Sequence, residues 1–364
     1  MIDDLTLIAN GQELSGWESI RVTRGIERCP SDFEIEMTER VPGEFRNVII
    51  KPGDACTVLL GDDIVITGYV DGLRASISPN SHSIRLVGRG KCADLVDASA
   101  EWPGGQISGS TVLGIAQKLA LPYSQENGGI NVIGDADEVG LPIPQHNLSF
   151  GETPFDIIEQ ICRYRALLAY EMPDGNLQLS RVGVNHAASG FSEGANVEQA
   201  SVDFRIDQRF SEYVTQSQSL DVLEDLGDVG FLHGVANDPG VTRHRIKYII
   251  SEQAGSGRDQ LMLRAEWERQ RRIGRSQQIR LTTDSWRDKD GVLWTPNTLV
   301  PLQLPSLKVT DVIWLISEVS FIRDEQNGTC ADLVIMPPDA FLVDLVTPLP
   351  FGDVLQALQE AKRQ

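Results

Sequence analysis

The sequence predicts an α+β fold, mainly β: two similar small antiparallel β-barrel domains, an α+β domain between them and a short C-terminal helix. Three observations carry this. Short runs that alternate apolar with polar residues, as half-buried antiparallel strands do, fill the first 97 residues and return after residue 200. Between them the apolar spacing changes from two to that of a helix. Finally, Pro52 to Asp97 and Pro296 to Pro337 share one grammar: a Pro-led strand, a break, a long alternating strand, a turn and a last strand. Both copies contain the string CADLV, Cys92 to Val96 and Cys330 to Val334, which the flanking residues place at a turn or helix start in the first and in a strand in the second.

In chain order, Leu5 to Ala9, Gly16 to Arg24 and Asp32 to Thr38 read as strands, followed by Cys56 to Leu60, Ile64 to Val70 and Ser83 to Val87. Gly61-Asp62-Asp63 is the short polar break of a hairpin. About six strands suffice for a small barrel, which sets a first domain at 1–97. The α+β domain spans 98–199. In it Ser110 and Thr111 can cap a helix that runs through Ala120 and stops at Pro122, and Thr153-Pro154 opens a second, with proline at the first position, where its missing N–H costs nothing. Leu167 to Met172 and Leu177 to Val182 form a hairpin around Pro173-Asp174-Gly175.

The second barrel spans 200–343, with strands at Val202 to Ile206, Tyr213 to Leu220, Arg243 to Ile250 and Gln277 to Thr283, and a helix near 258–273. The glycine- and aspartate-rich Asp225 to Gly240 reads as an exposed loop. In the tail, 344–364, Val354, Leu355, Leu358 and Ala361 share one stripe of a short amphipathic helix that needs something to cover it.

With 52 acidic and 32 basic residues the formal charge is -20, which repels a phosphate backbone and disfavours general nucleic-acid binding. Cys29, Cys56, Cys92, Cys162 and Cys330 form no CxxC pair and are odd in number, so they read as reduced thiols of a protein made in a cytoplasm. No apolar run approaches the roughly 18 residues of a spanning helix, and MIDDLTLIANG lacks the basic start of a signal peptide.

Motifs for chemistry fail on their spacing. Gly88-Arg89-Gly90-Lys91 has Arg85 and Cys92 where a phosphate loop needs glycine and a hydroxyl. The acidic run Asp135 to Gly140 has His146 where a calcium loop needs its closing glutamate. The five histidines make no HxH or HExxH, there is no GxSxG elbow, and paired carboxylates leave no signature among so many acids. No catalytic residue, metal ligand or cofactor is assigned.

Arg258 to Arg280 is the one basic stretch. Glu266 and Glu268 can pair with its arginines on a solvated helix face, each pair worth about 0.3–0.5 kcal/mol. Alternatively Arg264, Arg269, Arg271, Arg272 and Arg275 meet carboxylates of a neighbouring subunit, for which planar guanidinium groups are suited. Nucleic acid is the third reading.

VGRGKCADLVDASA (Val87 to Ala100), GETPFDIIEQICR (Gly151 to Arg163), WTPNTLVPLQLP (Trp294 to Pro305) and DVIWLISEVSFIRDEQNGTCADLVIMPPDAF (Asp311 to Phe341), in this order, resemble the baseplate hub protein of Mu-like contractile-tailed phages, the tail protein P or late control D-like family. More distantly the chain is similar to the hub part of the type VI secretion spike. The resemblance implies a virion protein without an active site, a homotrimer whose barrels make a ring of six similar domains between a six-fold tail tube and a three-fold central spike, and passage of DNA through it. It implies as partners further copies of itself, a separate spike protein, the tube protein and other baseplate proteins, with no specific nucleic acid and no integral membrane association. Val354, Leu355 and Leu358 would then dock on a neighbour or the spike. Two other classes stand beside this one: a tail-associated peptidoglycan hydrolase, and a carbohydrate- or receptor-binding β-protein, which should expose clustered aromatic residues.

Overall fold

The computed structural model describes residues 4–38, 50–78, 81–124, 129–134, 142–163, 165, 167–183, 185–218, 231–250 and 258–341. The chain is mainly β and divides into two compact units, 1–201 with 279–335, and 202–278 with 336–364. The expected first barrel, the α+β domain and most of the repeated module near the C-terminus fall in the first unit; the helix near 258–273 falls in the second.

The strands of the first module are β1 (Leu5–Ala9), β2 (Gln12–Leu14), β3 (Ser19–Gly25), β4 (Asp32–Thr38), β5 (Ala55–Leu60), β6 (Asp63–Ser78) and β7 (Ser81–Gly90). The expected alternation is present: in β1, Leu5, Leu7 and Ala9 are buried and Thr6 and Ile8 half-buried. Leu60 pairs with Asp63, so Gly61 and Asp62 alone make the turn, with Gly61 at φ 61°. The CADLV of this copy does enter a helix, α1 (Ala93–Asp97).

The α+β part holds β8 (Gln106–Ser110), α2 (Val112–Ala120), β9 (Val132–Gly134), β10 (Ile143–Asn147), α3 (Pro154–Arg163), β11 (Leu168–Glu171) and β12 (Leu177–Ser180). Both helices start where the capping residues stand. The Thr111 hydroxyl accepts from Gly114 N at 3.1 Å; Thr153 and Asp156 exchange side-chain to backbone bonds, a capping box with aspartate in the third position. Ile115, Leu119, Ile157, Ile158 and Ile161 pack with Leu177 and Leu179 in a core of their own. The strands β8, β9 and β10, paired as β8–β10 and β9–β12, are not among those expected from the sequence, because strands so short carry too little periodicity to register.

The repeated module comprises β13 (Phe191–Ser192), β14 (Gln199–Phe204), β18 (Gln277–Thr283), β19 (Leu299–Leu304), β20 (Val309–Asp324) and β21 (Gly328–Met336). Its CADLV lies in β21, as expected. The strand order is β14-β18-β21-β20-β19-β13, against β3-β4-β7-β6-β5-β1 in the first module. The same meander sits at the centre of each, with a 16-residue strand in the middle, β6 or β20. They differ at one margin, where β13 runs parallel to β19 and β1 antiparallel to β5.

The modules are not separate. The C-terminal half of β20, Glu318 to Arg323, pairs with Gly25 to Ile20 of β3, so both belong to one 13-stranded sheet. Among the described residues this sheet follows an open path from β14 to β2 and closes into no barrel. In the repeated module Trp286 is fully buried, its Nε1 donating to Cys330 O at 2.9 Å and Ile322 O at 3.1 Å.

Glu171, the last residue of β11, fixes the α+β part to the first module. Its carboxylate accepts from Ser31 N at 2.7 Å and Cys92 N at 2.8 Å, and it is 3% exposed. A Cβ on Gly90 would lie 2.0 Å from that carboxylate, and one on Gly88 would lie 2.4 Å from the Phe33 ring. The glycines of Gly88-Arg89-Gly90-Lys91 thus serve close packing at a strand end.

The second unit has β15 (Glu212–Gln218), β16 (Phe231–Asn237) and β17 (Ile246–Ile250) in the order β16-β15-β17, with α4 (Arg258–Arg275) packed on β15 and β16. β16 corrects the expectation of a loop from Asp225 to Gly240. Its Gly234 reads as a breaker but serves an approach to α4: a Cβ there would come within 2.3 Å of Leu261 backbone. The acidic run at 135–140 and the tail stripe with Val354, Leu355 and Leu358 lie outside the described residues.

Candidate assembly surface

α4 carries the arginines singled out in the sequence. Leu261 and Ala265 face the sheet, where Ala265 meets Tyr213 and Ala236. The charges spread around this contact, and most are engaged within their own unit. Arg264 Nη1 pairs with Glu268 at 3.0 Å, and Arg272 Nε with the other oxygen of Glu268 at 2.7 Å. Arg269 pairs with Glu266 and donates to Asn237 O at 3.1 Å. Glu266 and Glu268 therefore make the pairs that the helical spacing allows.

Aromatic rings lie under several guanidinium groups, paired ones included. Arg264 and Arg271, seven positions apart, lie over the Trp267 ring at 5.0 and 4.9 Å from its centre. Arg272, Arg245 and Lys247 surround Phe210 at 5.3, 5.1 and 5.4 Å. Arg275 is exposed at the C-terminal end of α4, where a cation suits the helix dipole.

Reading by residue type missed this Phe210 cluster and the buried pair beside it. Arg209 donates twice to Asp238, both at 2.8 Å, and Asp238 accepts from Gly240 N at 2.9 Å. Asn237-Asp238-Pro239-Gly240 has the composition of an exposed turn, yet Asp238 is 2% exposed. The charge that explains this burial is the arginine 29 positions earlier, a partner that the turn composition does not reveal.

Burial pushes the Glu268 carboxyl upward, but the charges and hydrogen bonds of Arg264 and Arg272 outweigh it and hold the group below the usual carboxylate range. A depressed carboxyl contributes stability above its ordinary pKa and loses it as pH falls through the folded value. Acidification toward pH 3 is therefore expected to loosen α4 in the wild type and to change Glu268→Gln much less, read as amide exchange across 261–275 at matched ionic strength.

On the opposite face of this sheet Val214 is buried, while two residues of the neighbouring strand are exposed among the described residues. In the parallel register Val214 stands beside Tyr248 and Gln216 beside Ile250, while Tyr213 points to α4, so Tyr248 and Ile250 lie on the side away from α4. They are 63% and 79% exposed, on an edge strand. Exposed apolar residues on a sheet edge are a standing invitation to pairing, and assemblies use them.

Among the described residues no group of three or more His, Cys, Asp and Glu could hold a metal ion, and no helix is long and apolar enough to cross a membrane. Cys56, Cys92, Cys162 and Cys330 are buried, and burial pushes the Cys330 thiol up to about 11 and the Cys56 thiol up to about 12. Trp17, Trp267, Trp286, Trp294 and Trp314 are all buried, and Trp102 packs on the α+β core, so the tryptophans make no receptor-binding platform.

Comparison with known proteins agrees with this picture. Residues 4–90 match the N-terminal domain of Mu phage baseplate assembly protein GpP-like proteins, 92–181 the second domain of baseplate hub protein gp44-like proteins, and 259–344 the fourth domain of Mu phage baseplate assembly protein GpP. The baseplate hub protein gp44 of Escherichia phage Mu is 31% identical over 354 residues, 94% of this chain and 90% of that protein. The 43 kDa tail protein of prophage MuSo2 from Shewanella oneidensis is 32% identical, with TM-score 0.79 over 93% of this chain and 99% of that one. A type VI secretion system component of E. coli shares the fold at 11% identity, with TM-score 0.55 over 91% of this chain and 76% of that one.

Proposed function

Because this chain belongs to the baseplate hub family of Mu-like phage tails, structural virion proteins and not enzymes, we propose that it works as a homotrimeric ring between a six-fold tail tube and a three-fold central spike. The observation that carries this reading is the shared strand order of its two β-modules. Three chains with two similar modules each present six similar surfaces on one side, while the rest of each chain keeps three-fold symmetry. Tube, spike and other baseplate proteins are the partners this arrangement requires. The modules, read from sequence as barrels, act in it as wall segments whatever their closure.

In this reading the arginines of α4 and the exposed Tyr248 and Ile250 are subunit or partner contacts. Arg271, over the Trp267 ring, and Arg275, exposed at the C-terminal end of α4, are the members taken as partner contacts. Val354, Leu355 and Leu358 are a further proposed contact; a truncation after Pro350 that still assembles would remove them from it. Three chains carry three times the charge of -20, which keeps passing DNA from adhering if the channel shares that sign.

Native mass measurement tests the ring: three chains of 40.1 kDa are expected, and a monomer at every concentration contradicts it. The double reversal Arg271→Glu with Arg275→Glu is expected to weaken trimer assembly by about tenfold or more at low salt, with the melting temperature of the dissociated chain nearly unchanged.

A further inference from the structure

Position 24 breaks the pattern of β3. Ile20 and Val22 are buried on the core side, and strand alternation puts Arg24 on that side as well. Arg24 is 7% exposed, its Nε has no hydrogen-bond partner, and no hydrogen bond or ion pair to a described residue engages its guanidinium. Native proteins seldom leave a buried charge this way. Burial pulls its pKa down to about 10, against the nearby charges of Glu171, Tyr170 and Asp174. Glu171 offers a field but no hydrogen bond or ion pair; its two oxygens accept from Ser31 N and Cys92 N.

Arg24 lines a cavity of about 320 Å³ within the first unit. Ile64, Met172 and Leu293 give it apolar walls. Tyr170 gives it a second donor: its hydroxyl accepts from Asn297 Nδ2 at 3.2 Å and Ser180 Oγ at 3.3 Å, and among the described residues its own proton has no other acceptor. Asn297 is fully used, with Oδ1 on Gly183 N at 2.6 Å. The one other carboxylate on the wall, Asp63, is held by Arg287 at 2.6 Å. What the cavity offers is a guanidinium and a hydroxyl proton, both donors, above an apolar floor.

We propose that this cavity binds a carboxylate, its oxygens held by Arg24 and the Tyr170 hydroxyl and its carbon stem lying along Ile64, Met172 and Leu293. The volume is at the low end of ligand sites, roughly 300–1,000 Å³, so it takes one acidic side chain or a small organic acid and excludes a polymer. The planar guanidinium matches a carboxylate with two parallel hydrogen bonds.

Sodium propionate is the probe, with propionamide as its neutral counterpart, on the full-length protein at constant ionic strength. The wild type is expected to melt higher with millimolar propionate, in a saturable way, and to ignore propionamide; Arg24→Gln is expected to lose the shift. Should Arg24→Gln not fold, Tyr170→Phe keeps the test alive, with the propionate affinity falling about tenfold, one hydrogen bond to a charged group. Equal shifts with propionamide, or a full shift in the folded Arg24→Gln, overturn the site, as does a crystal structure with propionate in which waters alone surround Arg24, or binding at crystal concentration only. The source is read from the assembly. If the dissociated chain responds to propionate and the assembled hub does not, an acidic side chain of another subunit fills the cavity; if both respond, the ligand is a free acid; if neither does, the proposal falls.

Discussion

Replacing Glu171 by alanine is expected to destabilise the first unit by about 3–5 kcal/mol, within the sum for two buried N–H groups left without an acceptor. Ser31 N and Cys92 N would both lose their acceptor, and a buried N–H without one costs roughly 1–3 kcal/mol. Arg24 would also lose the negative charge nearest to it in effect. Water cannot easily replace the carboxylate at a site 3% exposed. Glu171→Gln should cost less, because its carbonyl oxygen can satisfy one of the two N–H groups while its amide faces the other. Urea midpoints for the three proteins give the order; an alanine variant within 1 kcal/mol of wild type, by roughly the precision of such extrapolations, would show that these bonds do not hold the α+β part in place.

Trp286→Ala is expected to be as severe, about 3–5 kcal/mol, by the usual loss for a large aromatic residue in a core. The ring is fully buried, meets Phe321 edge-on at 6.2 Å and gives its N–H to two strand carbonyls. Those carbonyls, Ile322 O and Cys330 O, belong to β20 and β21, so the loss falls on the hairpin that carries the link to β3. Trp286→Phe keeps most of the volume but strands both carbonyls and should fall between. Thermal unfolding with the tyrosine and tryptophan signals read separately checks the order.

The elements with strong local causes were legible. Asp32–Thr38 and Gln277–Thr283 have the bounds their alternation implies, and Thr111 and Thr153-Pro154 start helices because a hydroxyl acceptor and a proline without N–H suit a first turn. What was hidden depends on partners distant in sequence. β6 extends to Ser78, eight residues past its apolar stretch, because β7 supplies a pairing edge while its own side chains there are mostly exposed. β16 contains Gly234 for the sake of α4, and a glycine in a polar context reads as a loop. On the candidate surface, the pairing of Glu266 and Glu268 with arginines follows from helix geometry, whereas the gathering of Arg245, Lys247 and Arg272 on Phe210 follows from the sheet. Arg24 was visible as the end of a strand and its isolation was not, since that requires knowing where Glu171 turns its oxygens.

The pairing of β3 with β20 has a consequence in time. Thr23 and Ser320 are joined across 297 positions of chain. At translation rates of about 5–20 residues per second, β3 waits on the order of 15–60 s for its neighbour to be synthesised. Until then the first module keeps an unpaired margin, and a polypeptide ended early by damaged message never acquires the strand that covers it. Completeness of the chain is thus checked by the fold itself: a fragment cannot finish the sheet, and an unfinished sheet is a poor part to build into a particle.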